Sequence, residues 1–269
     1  MSGPIAMLGR IYAIALNTFR EAIRKRFLIA VVILVVGVNL FATVLGEMSL
    51  HEEARVARDI GLFSISFFGS LTAMILGVLL LYSEIQKRTI HTILAKPIER
   101  HEFVLGKYFG MAITLALLVA LFAFAMAGIL ALRDFAVTSA MIEAVVLSYG
   151  EVLVVAAIAI FFSSFSSPVL SGVFTLGIWF IGNRTAEIER IIASPDAGMA
   201  AVVGRVALHV VPDLHAFAIS GSTVDGNPVS VHEDFVGWDY VITAWGHGAL
   251  YIAALLVLAI VVFSRRDFS

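Results

Sequence analysis

The sequence predicts an all-α membrane protein: a polytopic helical bundle of six transmembrane helices, preceded by an amphipathic helix at the interface. Three observations predict it. Hydrophobic residues make up 60% of the chain and charged residues only 14%, with a mean hydropathy of +0.99. That balance is wrong for a soluble domain and right for a chain whose solvent is lipid. Apolar runs of about 20 residues, the length that crosses a ~30 Å hydrocarbon core, recur along the chain. The charges gather in the short stretches between those runs.

The elements follow in order. Residues 5–26 carry Ile5, Leu8, Tyr12, Leu16, Phe19 and Ile23 at helical spacing, with Arg24, Lys25 and Arg26 at the end. This pattern predicts an interfacial helix on an anionic leaflet, its cations among the headgroups. The first apolar run starts at Phe27 and is too long for a signal-peptide core, so 27–46 reads as span one. A polar loop, 47–59, leads to span two at 60–82. Span three covers 108–132 and Arg133-Asp134 turns the chain. Span four covers 136–162 and contains Glu143 and Glu151. The Ser-rich turn at 163–168 opens span five, 169–186, whose clean apolar run is short and lengthens only if Ser166 and Ser167 enter the interface and Arg184 snorkels. Span six is 241–263. Between the last two spans lies the one long loop, 187–240. Its apolar stretch around Arg205 is too short to cross, and reads as an interfacial or re-entrant helix ending at Pro212.

Charge orients the bundle. With the N-terminus in the cytoplasm, Arg10, Arg20, Arg24, Lys25, Arg26, Lys87, Arg88, Lys96, Arg100, Lys107, Arg265 and Arg266 fall inside, as the positive-inside rule asks. Only six Lys+Arg of the 18 fall outside. Dropping span five would move Arg265 and Arg266 outside, so charge supports an even number of spans.

Several chemistries are excluded. The chain has no cysteine, hence no disulfide, thiolate metal site or cysteine nucleophile. It has no GxxxxGK[ST], HExxH or GxSxG pattern, so it holds no P-loop, zincin motif or nucleophile elbow. His51-Glu52-Glu53 reads as a solvated loop, and His209, Asp213 and His215 as a capped helix end around Pro212; no metal site is assigned. Glu143 and Glu151 stand out, because a charge at the bilayer centre costs roughly 3 kcal/mol on insertion scales. Eight residues apart, they lie about 80° off a common face. Together with His247 they read either as a polar lining for a substrate path or proton relay, or as hydrogen-bonded packing contacts. An intramembrane enzyme built on these three would lack any paired catalytic motif.

The stretch 84–107, EIQKRTIHTILAKPIERHEFVLGK, is a charged island between spans two and three. It holds three of the chain's four lysines. Pro97 breaks it, predicting a short helix over about 84–95, a turn, and a second helix from near Glu99. Ile85, Ile90, Ile93, Leu94 and Ile98 stand among the charges, as an amphipathic helix offered to a cytoplasmic partner would require.

The pattern E-x-x-K-R-T-I-x-x-I-L-x-K-P-I-x-R-x-E-F-V-L-G-K, from Glu84 to Lys107, resembles the first cytoplasmic loop of ABC-2-type transporter permeases. Arg88-Thr89 stands where that family often has Gly-Thr. The segment 17–26 is similar to the family's elbow helix, and FFSSFSSP at 161–168 to its span-four exit. The segments 211–217 and 263–268 resemble the branch of the nitrous-oxide-reductase maturation and gliding-motility permeases. The resemblance implies a dimer of permease subunits, alike or different, each docking one of two copies of a separate ABC ATPase. It implies that the island carries a coupling helix, with Glu84, Lys87, Arg88, Thr89, Ile93, Leu94, Pro97, Arg100 and Lys107 at the ATPase contact. ATP and Mg would then bind the ATPase and no cofactor would bind this chain, in keeping with the missing P-loop. The expected setting is a bacterial inner membrane with both termini cytoplasmic, lipid around the spans, no nucleic acid, and an export direction. A second reading keeps the fold and the ATPase but has the chain act mechanically on an external accessory protein through the 187–240 loop.

Overall fold

Apolar length decides where the helices run, and small residues decide how closely they meet. The computed structural model describes residues 4–48, 53–86, 99–135, 137–193, 198–218, 223–224, 227–228 and 237–265. The helices are α1 (Pro4–Ile23), α2 (Arg26–Met48), α3 (Glu53–Gln86), α4 (Arg100–Leu132), α5 (Ser139–Ser163), α6 (Pro168–Gly182), α7 (Thr185–Ile192), α8 (Gly198–Val210) and α9 (Trp238–Ser264). A 3-10 turn, His215–Phe217, follows α8, and a two-residue antiparallel pair sets Thr223 opposite Pro228 and Val224 opposite Asn227. Among the described residues five helices, α2, α3, α4, α5 and α9, are long and apolar enough to cross a membrane; α6 is apolar but shorter. The chain is a multi-pass helical membrane bundle.

Successive spans alternate in direction. α2 and α3 run antiparallel, with Asn39 Nδ2 donating to Ser64 Oγ and the α2 end at Gly46 beside Glu53. α3 and α5 run parallel: a Cβ on Gly69 would meet Val152, and one on Gly77 would meet Ala159 at 2.5 Å. α4 and α5 are antiparallel, Tyr149 reaching the Ala112 carbonyl and Tyr108 that of Leu153. α5 is apolar around most of its circumference, as a helix enclosed by others must be, and is the most buried span.

The connections differ from expectation in two places. The loop expected over 47–59 shrinks, because α2 continues to Met48 and α3 begins at Glu53. Arg55 and Asp59 then lie one helical turn apart on α3, 3.9 Å from each other. The span expected over 169–186 is not one continuous helix. Pro168 opens α6 at its first turn, a position that needs no N–H. The helix stops at Gly182 after 15 residues, about 22 Å by rise. Asn183 ends it, turning its side-chain amide back to the Trp179 carbonyl, and a second helix starts at Thr185. At the α4–α5 hairpin, Asp134 takes a left-handed φ of 56°, a conformation short Asp side chains tolerate, and α5 begins at Ser139.

The amphipathic α1 has two apolar faces. The stripe seen in the sequence looks outward: Ile5, Leu8, Tyr12 and Ile23 are exposed. The other face, Ile11, Ala15, Thr18 and Ala22, is buried. It lies along α4, where Gly106 and Gly110 form a G-x-x-x-G step that admits the neighbouring backbone. A Cβ on Gly106 would lie 2.6 Å from Ile14, and one on Gly110 2.5 Å from the Ala15 carbonyl oxygen.

Candidate functional site

Two regions of the bundle gather buried ionisable side chains with their partners. The first is the start of α4, where the chain leaves the charged island. Glu99 is the extended N-cap of α4, and Glu102, at its third position, reaches back to the Glu99 N–H at 3.1 Å. This half of a capping box satisfies a donor that the helix cannot. The same carboxylate accepts two bonds from Arg10 of α1, from Nε at 2.8 Å and Nη2 at 2.5 Å. Its side chain is 1% exposed. Bidentate guanidinium–carboxylate geometry is the stronger, orientation-fixing kind of ion pair. Arg100 donates to the Phe263 carbonyl at 3.1 Å and to that of Ser264, at the end of α9. The Phe103 and Phe263 rings stack with centroids 5.8 Å apart. Lys107 is buried, its Nζ 3.9 Å from Glu21 of α1 and over the Phe103 ring. The island's exit is thus fastened to α1 on one side and α9 on the other.

The second region is a cavity of about 510 Å³ among α3, α5 and α6. Aromatic rings of Phe63, Phe67, Trp179 and Phe180 line it, with Ser66, Ser148 and Asn183 as its polar groups. Arg184, Glu187 and His215 stand on its lining near the α6–α7 break. Behind this wall lies Glu151, fully buried. Ser66 donates to its Oε2 at 2.5 Å, and Trp179 Nε1 and Asn183 Nδ2 donate to its Oε1 at 3.0 and 3.1 Å. One carboxyl of α5 therefore fixes three lining side chains from two other helices.

The segment after α8 closes one side of the cavity. Leu214 N–H donates to the Gly182 carbonyl, and Asp213 accepts from Thr185 Oγ1 at 2.6 Å and from the His215 N–H at 3.1 Å. The Phe217 ring is buried against Gly150 and Gly248, where an added Cβ would lie 2.7 and 2.8 Å from it. Tyr240 and Tyr251 of α9 hold the carbonyls of Ala216 and Val210, each at 2.6 Å. Burial alone would raise the Glu187 carboxyl. Its backbone hydrogen bond, the Arg184 side chain at 3.1 Å, and the Arg184 and His215 charges outweigh that and hold it below the ordinary carboxylate range.

A helical bundle with this charge plan, an amphipathic α1 packed on α4 and a segment after α8 docked on α5 and α9 matches one family model along nearly its whole length. The model, described as ABC-2 family transporter protein, covers residues 12–268. The chain belongs to the ABC-2 transporter family. No curated protein matches it. ABC-2 chains are membrane subunits of transporters, so the transport function, at that level, follows from membership.

The ABC-2 chain distributes the residues singled out in the sequence unevenly. Glu84 lies in the last turn of α3, whose backbone continues to Gln86. Lys87, Arg88, Thr89, Ile93, Leu94 and Pro97 lie outside the described residues. Arg100 and Lys107 sit at the start of α4, as above. The grouping of Glu143, Glu151 and His247 into one polar path needs correction. Only Glu151 adjoins the cavity. Glu143 is buried about 12 Å along α5 from it, by the helical rise, and its Oε2 has no hydrogen-bond partner. His247 is on the exposed side of α9, its Nδ1 3.0 Å from the Thr243 carbonyl. The face of α9 that packs inward carries Val241, Ala244 and Gly248 instead. Sequence reasoning missed Arg10 and Glu102. The Glu99-x-x-Glu102 spacing at a helix start signals the cap, but nothing local announces that Arg10 is its partner.

Proposed function

We propose that this chain is the permease subunit of an ABC exporter in a bacterial inner membrane, with both termini cytoplasmic. A separate ATPase, two copies per permease dimer, docks on the 84–107 loop and carries ATP and Mg. The observation that carries this reading is the fastening of the loop's exit. A connector that only joined two spans would not need Glu102 locked to Arg10 and Arg100 locked to the end of α9. A loop that receives force does, because motion at 84–98 then reaches α1, α4 and α9 together. The Glu151-backed cavity is the compartment those helices would reshape. Replacing Ile93 and Leu94 by Asp is expected to abolish co-purification of an ATPase with the full-length chain. Co-purification at the wild-type level would overturn the reading.

A second reading is favoured by one observation. Phe217 is seated between Gly150 and Gly248, in the segment whose His215 and Ala218 line the cavity. Residues 211–217 also carry part of the resemblance to the nitrous-oxide-reductase maturation and gliding-motility branch. In that reading the ATPase moves the 187–240 segment against an external protein, and no substrate crosses. An enzyme built on Glu143, Glu151 and His247 gains nothing from the geometry, since the three side chains do not meet.

A further inference from the structure

We propose that the pocket at the junction of α1 and α2 binds the phosphodiester headgroup of an anionic phospholipid. The site is a concave space of about 640 Å³ lined by Asn17, Arg20, Glu21, Arg24 and Lys25. It exists because the chain bends there. α1 stops at Ile23 and α2 restarts at Arg26, with Lys25 N–H bonded to the Ala22 carbonyl and Leu28 N–H to that of Lys25.

Among the described residues, the charges in the pocket are not balanced. Glu21 is its single carboxylate, and both oxygens face lysines: Lys25 at 3.6 Å and Lys107 at 3.9 Å. Among the described residues Arg20 and Arg24 make no hydrogen bond or ion pair, although they flank the same opening. Two guanidinium forks beside an amide donor, Asn17, suit a singly charged phosphate with several acceptor oxygens.

The depth of the pocket selects the source of that phosphate. The apolar run of α2 begins at Phe27, two residues beyond the bend. The exposed apolar residues of α1, Leu8 and Tyr12, lie on its outward face while its inner face is held on α4. A helix placed so puts its terminal arginines at the headgroup level, with a lipid's acyl chains running beside α2. Diffuse attraction to an anionic leaflet counts charges and is indifferent to whether they are Arg or Lys. A built phosphate site is not.

The test is native mass spectrometry of the full-length chain in detergent, titrated with phosphatidylglycerol against phosphatidylcholine. The wild type is expected to retain one tightly held phosphatidylglycerol per chain. R20Q/R24Q is expected to lose that preference by about tenfold or more, and R20K/R24K to lose most of it, since Lys cannot make the bidentate contact. R26Q, which removes an adjacent cation outside the pocket, is expected to bind as the wild type does. Three results would overturn the proposal: undiminished preference in R20Q/R24Q, full retention in R20K/R24K, or equal loss in R26Q. Displacement of the lipid by inorganic phosphate at matched concentration would reassign the site to free phosphate and overturn the lipid. The site needs only the membrane placement of α1, so co-purification retained in the Ile93 and Leu94 variants, which would overturn the proposed function, leaves it standing.

Discussion

Each of the two charged regions is organised around one buried carboxylate, and the two are held in opposite ways. Glu102 sits against a full positive charge in bidentate geometry and also caps its own helix. Glu151 is more deeply buried, yet the donors to it, from Ser66, Trp179 and Asn183, are a hydroxyl, an indole and an amide, all neutral. Removing one member of a buried ion pair costs about 3–5 kcal/mol, because the other charge is stranded. A neutral hydrogen bond is worth about 1 kcal/mol net and can be exchanged. The island's exit is therefore held more tightly than the cavity wall. In the proposed mechanism, force enters at the stiffer end and is used at the softer one.

The largest expected effect follows from breaking the stiff end. Arg10→Met strands the buried Glu102 carboxylate, and water reaching the partly exposed Arg10 position offsets only part of the loss. The thermal midpoint of the purified chain should fall by several degrees, and the α1–α4 contact should open to protease. The paired swap of Arg10→Glu with Glu102→Arg should recover part of the loss. A midpoint unchanged in Arg10→Met would remove the contrast.

The next effect concerns the seat of Phe217, beside the cavity-lining His215 and Ala218. Gly150→Ala or Gly248→Ala puts a methyl where the Phe217 ring lies, and overpacking of this kind costs about 1–3 kcal/mol. The ring is expected to leave its seat, raising the reactivity of a cysteine placed at Ser148 on the cavity lining. Because the chain has no native cysteine, the label reports that position alone. Unchanged labelling would show that Phe217 does not close the cavity.

Glu151→Gln probes the soft end and is expected to be milder. The amide oxygen can still accept from both Trp179 and Asn183, and the amide nitrogen replaces the oxygen that accepts from Ser66, so one hydrogen bond is lost or reversed, about 1 kcal/mol. ATPase stimulation in the complex should stay near wild type, whereas the Arg10 variant should lose it. The same loss in both variants would make the two carboxylates equivalent and end the comparison.

The smallest effect lies at the cavity rim. Glu187 is held below its ordinary pKa in the fold, so its contribution is present above the unfolded pKa and is lost as pH falls through the folded one. Its side chain is 48% exposed, which limits the contribution to a few tenths of a kcal/mol. Arg184→Gln should lower stability at neutral pH by a few tenths of a kcal/mol, flatten that part of the acid limb, and leave stability below the folded pKa unchanged.

Much of this fold can be read in the sequence because membrane length and charge are local signals. Phe27 marks where α2 becomes apolar, Pro168 opens α6, and Glu99 marks the start of α4. The stop of α6 at Gly182 was not legible. Its apolar composition continues the pattern of a span, and what ends it is Asn183 folding back on Trp179 and out to Glu151. The significance of Glu151 could be read from its depth, but its partners come from positions 85, 28 and 32 residues away. Arg10 and Glu102 lie 92 residues apart, and only the close approach allowed by Gly106 and Gly110 brings them together. His247 misled because a histidine in an apolar run carries no mark of which side it faces.

The most direct test measures distances in the assembled complex. Spin labels placed in pairs on the cysteine-free chain, at Tyr12 (α1) with Val261 (α9) and at Tyr12 with Ile191 (α7), all exposed, report two distances within one subunit. On ATP binding by the partner ATPase, the Tyr12–Val261 distance should stay fixed, because both helices are fastened to the start of α4. The Tyr12–Ile191 distance should shift. A change in Tyr12–Val261 with Tyr12–Ile191 constant, or no change in either pair, would contradict the account.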